Sequence, residues 1–259
     1  MDIVGNGFLA RNLRALSSRH PDTVVLAAGV SWAQGTARAD FDREERLLGE
    51  VVADCRASGR RLLFFSSAST GVYGKVRGPG REDGPVTPCT PYGAHKIALE
   101  ERLRASGADH LILRLGHLVG RDQPPHQLLP LLVRQMRAGS VRVHRGAVRD
   151  LVHVDDVVEI IDRLLGQGLR AETVNVASGE AVPVEHIVDH LEARLGLSVR
   201  REYQDVDAHH IISTEKLRAL VPEVTRMGFG PAYFRRVLDS FVDHQLATAP
   251  TGVPAPEET

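Results

Sequence analysis

Cysteine, lysine, tyrosine and tryptophan are all scarce in this 259-residue chain, and each shortage removes a class of explanation. Two cysteines, Cys55 and Cys89, are too few for a disulfide framework. No apolar run reaches the roughly 18 to 20 residues of a membrane helix. The chain opens on a strand-like MDIVG instead of a basic and apolar leader, so a cytoplasmic protein without a membrane partner is expected. Neither sign of charge dominates: 32 Lys plus Arg face 33 Asp plus Glu, for a formal net charge of -1. Nucleic acid is therefore not expected as a partner. Lysine occurs only at 75, 96 and 216, and tyrosine only at 73, 92, 203 and 233. In a chain whose cations are nearly all arginine, a lysine at a demanding position stands out.

What is present is alternation. Short apolar runs at 2–4, 23–28, 61–66, 110–115 and 173–176 predict strands. Amphipathic stretches at about 8–18, 40–58, 92–106, 125–138, 154–165, 184–195, 213–221 and 233–245 predict helices. The expected fold is an α/β, doubly wound parallel sheet whose ligands meet the carboxyl ends of the strands. The Pro-, Ala- and Thr-rich end, residues 246–259, predicts a disordered tail.

Three features carry chemistry. Directly after the first strand, GNGFLA places Gly5, Gly7 and Ala10 where a dinucleotide's pyrophosphate needs close backbone approach at a helix N-terminus. The acidic residue expected about twenty positions on is missing, since Asp22 precedes a strand rather than ending one. The interval from Ser18 to Thr23 is too short for a second strand, its helix and a third strand, so the adenosine half of the site is expected to be cut down. In PYGAHK, Tyr92 and Lys96 lie four residues apart on one helix face. An ammonium one turn away favours the phenolate and makes the phenol usable for proton transfer. Upstream, RRLLFFSSASTGVYG ends an apolar strand in hydroxyls able to polarise a carbonyl. Counting from the strand end selects Ser67, counting back from Tyr73 selects Ser69, and Thr70 is a third option.

Taken in order, these segments resemble the extended short-chain dehydrogenase/reductase family of nucleotide-sugar epimerases, dehydratases and ketoreductases. VVLAAGVS resembles the strand beside the nicotinamide, LRLGHLVG the strand leading into the substrate lobe, VRDLVHVDDVV the segment whose arginine grips the phosphates, and VNVASGE the strand before the C-terminal lobe. The resemblance implies a Rossmann-like domain over 1–120 and 150–178 and a small substrate lobe over 121–149 and 179–245. It implies Tyr92 as acid/base, Lys96 as ribose ligand and phenol tuner, and Ser67 or Ser69 as carbonyl donor. Cofactor contacts would fall on Gly5, Gly7, Phe8, Leu9, Arg11, Ala27, Ala28, Gly29 and Ser66, besides Tyr92 and Lys96. His117, standing where many relatives have asparagine, and Arg149 would touch the substrate. The family's first loop glycine is Val4 here, and the acidic pair that dehydratases place before VYG is replaced by Thr70 and Gly71. The function implied is reduction of a keto group on a nucleotide-linked 4-keto-6-deoxysugar, with NADPH favoured by Arg11 and NAD possible. A nucleotide-sugar epimerase and a non-catalytic dinucleotide-binding or scaffold protein are the alternatives. A homodimer through the 40–58 and 92–106 helices is a further expectation.

Overall fold

A computed structural model describes residues 1–31, 36–74, 78–206, 208 and 210–247, with Thr70 described in its backbone alone. Its elements are, in chain order, β1 (Asp2–Val4), α1 (Phe8–Leu13), β2 (Thr23–Leu26), α2 (Arg38–Ser58), β3 (Arg61–Ser67), α3 (Thr70–Tyr73), β4 (Pro79–Gly80), α4 (Pro91–Ala105), β5 (His110–Leu115) and β6 (His117–Val119). They continue with α5 (Leu128–Arg137), β7 (Ser140–Arg145), β8 (Val148–Arg149), β9 (Leu151–His153), α6 (Val154–Gly166), β10 (Glu172–Val176), β11 (Val182–Pro183), α7 (Val184–Leu195), β12 (Arg200–Asp205), β13 (Ile211–Ile212), α8 (Glu215–Leu220) and α9 (Tyr233–Ala247).

Five parallel strands form the main sheet in the order β1-β2-β3-β5-β10. The expected α/β Rossmann-like architecture is therefore present, shortened where the sequence implied. After α1 the chain makes one 3-10 turn, Arg14–Leu16, and enters β2 directly, and β2 pairs with β1. Strand β1 thus forms one edge of the sheet. The α-amino group of Met1 donates to the carbonyls of Ser17 and Arg19 at 2.6 and 2.7 Å, pinning the shortened connection.

The two faces of the sheet bury different apolar sets, as period-two alternation requires. Val25, Leu63, Leu111 and Leu113 face Leu13 of α1, Leu16 of the 3-10 turn after it, and Ile160 and Leu164 of α6. Val24, Leu62, Phe64 and Ile112 face Leu48, Val51 and Cys55 of α2 and Leu99 and Leu103 of α4. A separate core joins α5, α7 and α9 with β7, through residues such as Leu132, Val143, Ile187 and Phe241. Leu217 of α8 and Val224 in the turn after it, which the sequence reading assigned to the lobe, pack into the sheet's core.

Several predicted boundaries move for local reasons. Strand β2 ends at Leu26, not Ala28, although the Ala27 amide still donates to the Val4 carbonyl at 2.9 Å. Helix α1 stops at Leu13 and gives way to the 3-10 turn. Helix α5 starts at Leu128 rather than Pro125, with Gln127 extended as its N-cap. Pro130 is tolerated in its first turn, where amides have no partner to lose. Helix α9 runs through Leu246 and Ala247, so the expected tail cannot begin at 246, and residues 248–259 lie outside those described. The short pairs β6–β9, β8–β11 and β4–β13, and the six-residue pair β7–β12, were not expected. No helix among the described residues is long and apolar enough to cross a membrane.

Candidate active site

A cleft of about 500 Å³ opens at the carboxyl ends of the sheet strands, against α5 and β7. Gly7, Phe8 and Leu9 line one end, Ser66, Ser67 and Ser69 with Tyr92 and Lys96 line the wall, and His117 and Arg149 line the far side. Ala27 and Gly29 also line it; Gly5, Ala28 and Arg11 do not. The sequence-predicted residues are thus largely brought together from distant segments.

The glycine turn is built for close approach. Gly5 has φ +133°, and a Cβ there would lie 2.6 Å from the Ala27 carbonyl oxygen. Gly7 caps α1, with open space where its Cβ would be. Arg11 is exposed and donates to the carbonyls of Asn6 and Asp122, at 3.2 and 3.1 Å.

Helix α4 is started by Thr90, whose hydroxyl accepts from the Gly93 amide at 3.0 Å, with Pro91 in the first turn. A Cβ on Gly93 would stand 1.7 Å from the Gly71 carbonyl oxygen. That glycine lets α4 press on α3, bringing Tyr92 against the end of β3. Lys96, one turn on, is buried with its Nζ 5.7 Å from the Tyr92 ring centroid. Nζ donates to Glu44 Oε1 at 2.6 Å and to the Phe65 carbonyl at 3.3 Å.

Burial pushes the Tyr92 phenol above its ordinary range; Lys96 and a hydrogen bond with Ser67 pull the other way, and Glu44 adds to the rise. Ser67 is the last residue of β3, and its hydroxyl donates to Ser69 Oγ at 2.8 Å while accepting from the Ser69 amide at 3.2 Å. Ser67 is thus the serine that meets the phenol, and Ser69, which also lines the cleft, is hydrogen-bonded to it. The Thr70 side chain lies outside the described residues. The Ser66 hydroxyl makes no hydrogen bond of good geometry, but lies close enough to Glu100 to help keep that carboxyl ionised.

His117 is pushed down to about 3 by burial, with Arg149 and His210 adding to the effect. It is a neutral imidazole at ordinary pH, offering one donor and one acceptor as an asparagine amide does. Arg149 is half-buried, which lowers its pKa, and it donates to the Val148 carbonyl at 2.7 Å. The acids near it in sequence look elsewhere: Asp150 accepts from Ser178 and Gly179, and Asp156 from Tyr233. Among the described residues no Asp or Glu lines the cleft, whereas Arg142 and His144 join Arg149 there. The sequence reading missed these two; in a strand reading SVRVHR, only their alternation with buried Val141 and Val143 was available as a signal.

The residues present fit the nicotinamide and pyrophosphate portion of a dinucleotide, through the glycine turn and a lysine with one donor direction unused. Beyond β1 the sheet ends, and no described strand carries an acidic residue at its tip toward an adenosine ribose.

Comparison with known proteins agrees with this geometry. The model of the NAD dependent epimerase/dehydratase family matches residues 9–177. A dTDP-6-deoxy-L-talose 4-dehydrogenase (NAD(P)(+)) from Kitasatospora kifunensis is 28% identical over 75% of this chain and 65% of its own length. A dTDP-4-dehydro-6-deoxyglucose reductase from Escherichia coli is 21% identical over 75% of this chain and 66% of its own. The chain spans less than two thirds of the length of several such relatives, 61% and 59% of two others. The structure of RMD from Pseudomonas aeruginosa complexed with NADPH superposes with a TM-score of 0.78 at 20% identity, covering 95% of this chain and 98% of that one. The fold, the cleft and the sequence match place this chain in the NAD dependent epimerase/dehydratase family.

Proposed function

We propose that this protein reduces a keto group on a nucleotide-activated sugar, of the dTDP-4-keto-6-deoxy type, using a reduced nicotinamide. The observation that carries the reading is the composition of the cleft. Tyr92 is its one proton donor backed by a buried ammonium, and no carboxylate among the described residues lines it. Dehydration calls for an acid and a base besides the tyrosine, whereas ketone reduction needs one proton. Relatives named as a 4-dehydrogenase and a reductase of dTDP-6-deoxy sugars support the substrate class.

The nicotinamide, when bound, supplies hydride to the carbonyl carbon. Tyr92 gives its phenolic proton to the carbonyl oxygen, and the phenolate recovers a proton from solvent. Ser67 orients the carbonyl through its hydroxyl. Lys96 holds the ribose with its remaining donor, and Arg149 and Arg142 neutralise the diphosphate, with His144, kept neutral by burial and by the two arginines, beside them as a hydrogen-bonding group. The core of α5, α7 and α9 acts as the substrate lobe. NADPH is the proposed donor, with NADH also accepted. The charge of Arg11, without a carboxylate partner among the described residues, stands beside the open edge.

Mixing purified protein with NADPH and a dTDP-4-keto-6-deoxy sugar, and following nicotinamide absorbance, tests the reading. NADPH consumption with formation of the 4-hydroxy product is expected, and Tyr92→Phe is expected to remove it. Interconversion of UDP-hexoses without net NADPH use would replace this reading with epimerisation. Inertness toward both would leave a binding protein. Turnover of Tyr92→Phe within about tenfold of wild type would remove Tyr92 from the mechanism.

A further inference from the structure

We infer that Glu44 is a positioning residue: it anchors the Lys96 ammonium and cancels its charge, so that Tyr92 is kept as a proton donor and the site is biased toward reduction. The inference rests on the proposed role of Tyr92.

The sequence around it, ADFDREERLLGEVVADC, is rich in charge. Only Glu44 turns inward. It heads the apolar stripe Glu44–Leu48–Val51–Cys55 of α2, spaced by four, three and four residues, and is 0% exposed. A carboxylate there needs partners for both oxygens, and it has them. Oε1 accepts from Lys96 Nζ at 2.6 Å, while Oε2 accepts from the Val30 amide at 3.0 Å and meets His95 Nε2 at 3.1 Å. Burial alone would raise the carboxyl; Lys96, His95 and Val30 together outweigh it and hold the group down to about 2. Glu44 is thus a permanent anion at working pH.

Room for this pair comes from Gly29. A Cβ there would stand 2.4 Å from Glu44 Oε1 and 3.0 Å from Lys96 Nζ. Gly29, expected as a cofactor contact, also serves the ion pair. Two consequences follow for Lys96. One of its three N–H directions is fixed on Glu44 and one on the Phe65 carbonyl, so a single donor is left to point into the cleft. And the ammonium reaches Tyr92 with its charge already countered at 2.6 Å, which weakens its pull toward phenolate. The titratable and charged groups facing this region are Tyr92, His95, Lys96 and Glu100 from α4, Glu44 from α2, and the Ser67 hydroxyl from β3. Of these only Glu44 combines a full charge with direct contact on Lys96 from another element.

Reduction needs the protonated phenol and oxidation the phenolate, so the counter-anion favours the first. The test is an ultraviolet difference titration of the cofactor-free protein, with Tyr92→Phe subtracted to isolate Tyr92 from the other tyrosines. In Glu44→Gln the Tyr92 titration is expected about one pH unit lower than in wild type, the size typical of removing a neighbouring charge. Glu44→Asp, which keeps the charge, is expected to leave it nearly in place. The alkaline limb of the reductive pH profile should move down with it. If Glu44→Gln does not fold, Gly29→Ala supplies the second variant, since its methyl displaces the carboxylate from Lys96 and should shift the titration the same way, by less. A folded Glu44→Gln or Gly29→Ala whose Tyr92 titrates as in wild type overturns the inference. If Tyr92→Phe remains active, it is the reading of the site that fails; if Tyr92→Phe is inert and the titration does not move, only the role of Glu44 does.

Discussion

The helix that carries Tyr92 and Lys96 is riveted to the sheet by a second buried ion pair, and breaking it should be costly. Glu100, on α4 and 0% exposed, accepts from Arg114 Nε at 3.0 Å and from Arg114 Nη2 at 2.8 Å. Arg114, on β5 and 3% exposed, turns Nη1 to the Tyr73 hydroxyl at 3.1 Å, and that hydroxyl donates to Asn175 Oδ1 at 2.6 Å. Arg104 adds a half-exposed contact to the same carboxylate at 2.7 Å, worth little beside the bidentate pair. Burial raises the Glu100 carboxyl, but the hydrogen bonds and charge of Arg114 outweigh this and hold it below the usual carboxylate range. Glu100→Gln keeps the volume and leaves the guanidinium buried without its counter-charge, which costs about 3 to 5 kcal/mol. For a chain of this size, 1 kcal/mol moves the melting temperature by roughly 2–4 °C, so a fall of at least about 6 °C is expected by calorimetry. The folded carboxyl has the lower pKa, so the pair's contribution is complete above the ordinary carboxyl range and lost as pH falls through the lowered value. Replacing both partners, Glu100→Leu with Arg114→Leu, should recover most of the loss, because an apolar pair leaves no orphaned charge. A Glu100→Gln variant within about 1 kcal/mol of wild type, or a double variant as unstable as the sum of the singles, would refute the reasoning.

Arg149→Ala should raise the Michaelis constant for the nucleotide sugar by about tenfold or more while leaving kcat within a few-fold, since in the proposed role the guanidinium meets a phosphate and not the reacting carbonyl; steady-state kinetics with a dTDP-sugar decide this, and an unchanged Michaelis constant would count against the substrate class. Asp150, pushed by burial from 3.8 up to about 6 despite hydrogen bonds from Ser178 and Gly179, should work in the opposite sense to Glu100. Its folded state takes up a proton first, so stability falls as pH rises from about 4 to about 6 and is flat above; at 1.36 kcal/mol per pH unit the whole effect is about 3 kcal/mol. Denaturant unfolding of wild type and Asp150→Asn across that range should show the slope in their difference, and parallel curves would contradict it.

Much of this was legible because it is written in local pattern. Period-two and helical spacing located all five sheet strands, and the four-residue spacing of Tyr92 and Lys96 set them on one helix face. The missing strand was legible as simple distance, since the six residues from Ser18 through Thr23 cannot hold a helix and two strands. What was hidden depends on tertiary approach. Glu44 looks like its neighbours Arg43 and Glu45 until Gly29 comes against it. Ladders of two or three residues, such as β8–β11, are too short to show a period. The serines at 67 and 69 differ only in where β3 ends, one residue beyond the expected boundary.

The single direction in which the strands advance has a topological consequence. From β1 to β2, from β2 to β3 and from β3 to β5 the chain always steps the same way across the sheet. Yet α2 and α4 lie on one face and α1 on the other. Three crossovers stepping in one direction share a hand only if their helices share a face, so the β1–α1–β2 unit has the opposite chirality to its two successors. Right-handed crossovers make up about 98% of such units, which assigns the left-handed one to β1–α1–β2. In the doubly wound order 3-2-1-4-5-6 the first helix leads outward to a strand on the far side of β1 and is right-handed in doing so. Here the helix has kept its face while its destination has moved to the other side, so the inverted crossover is the scar an excised strand–helix–strand block would leave.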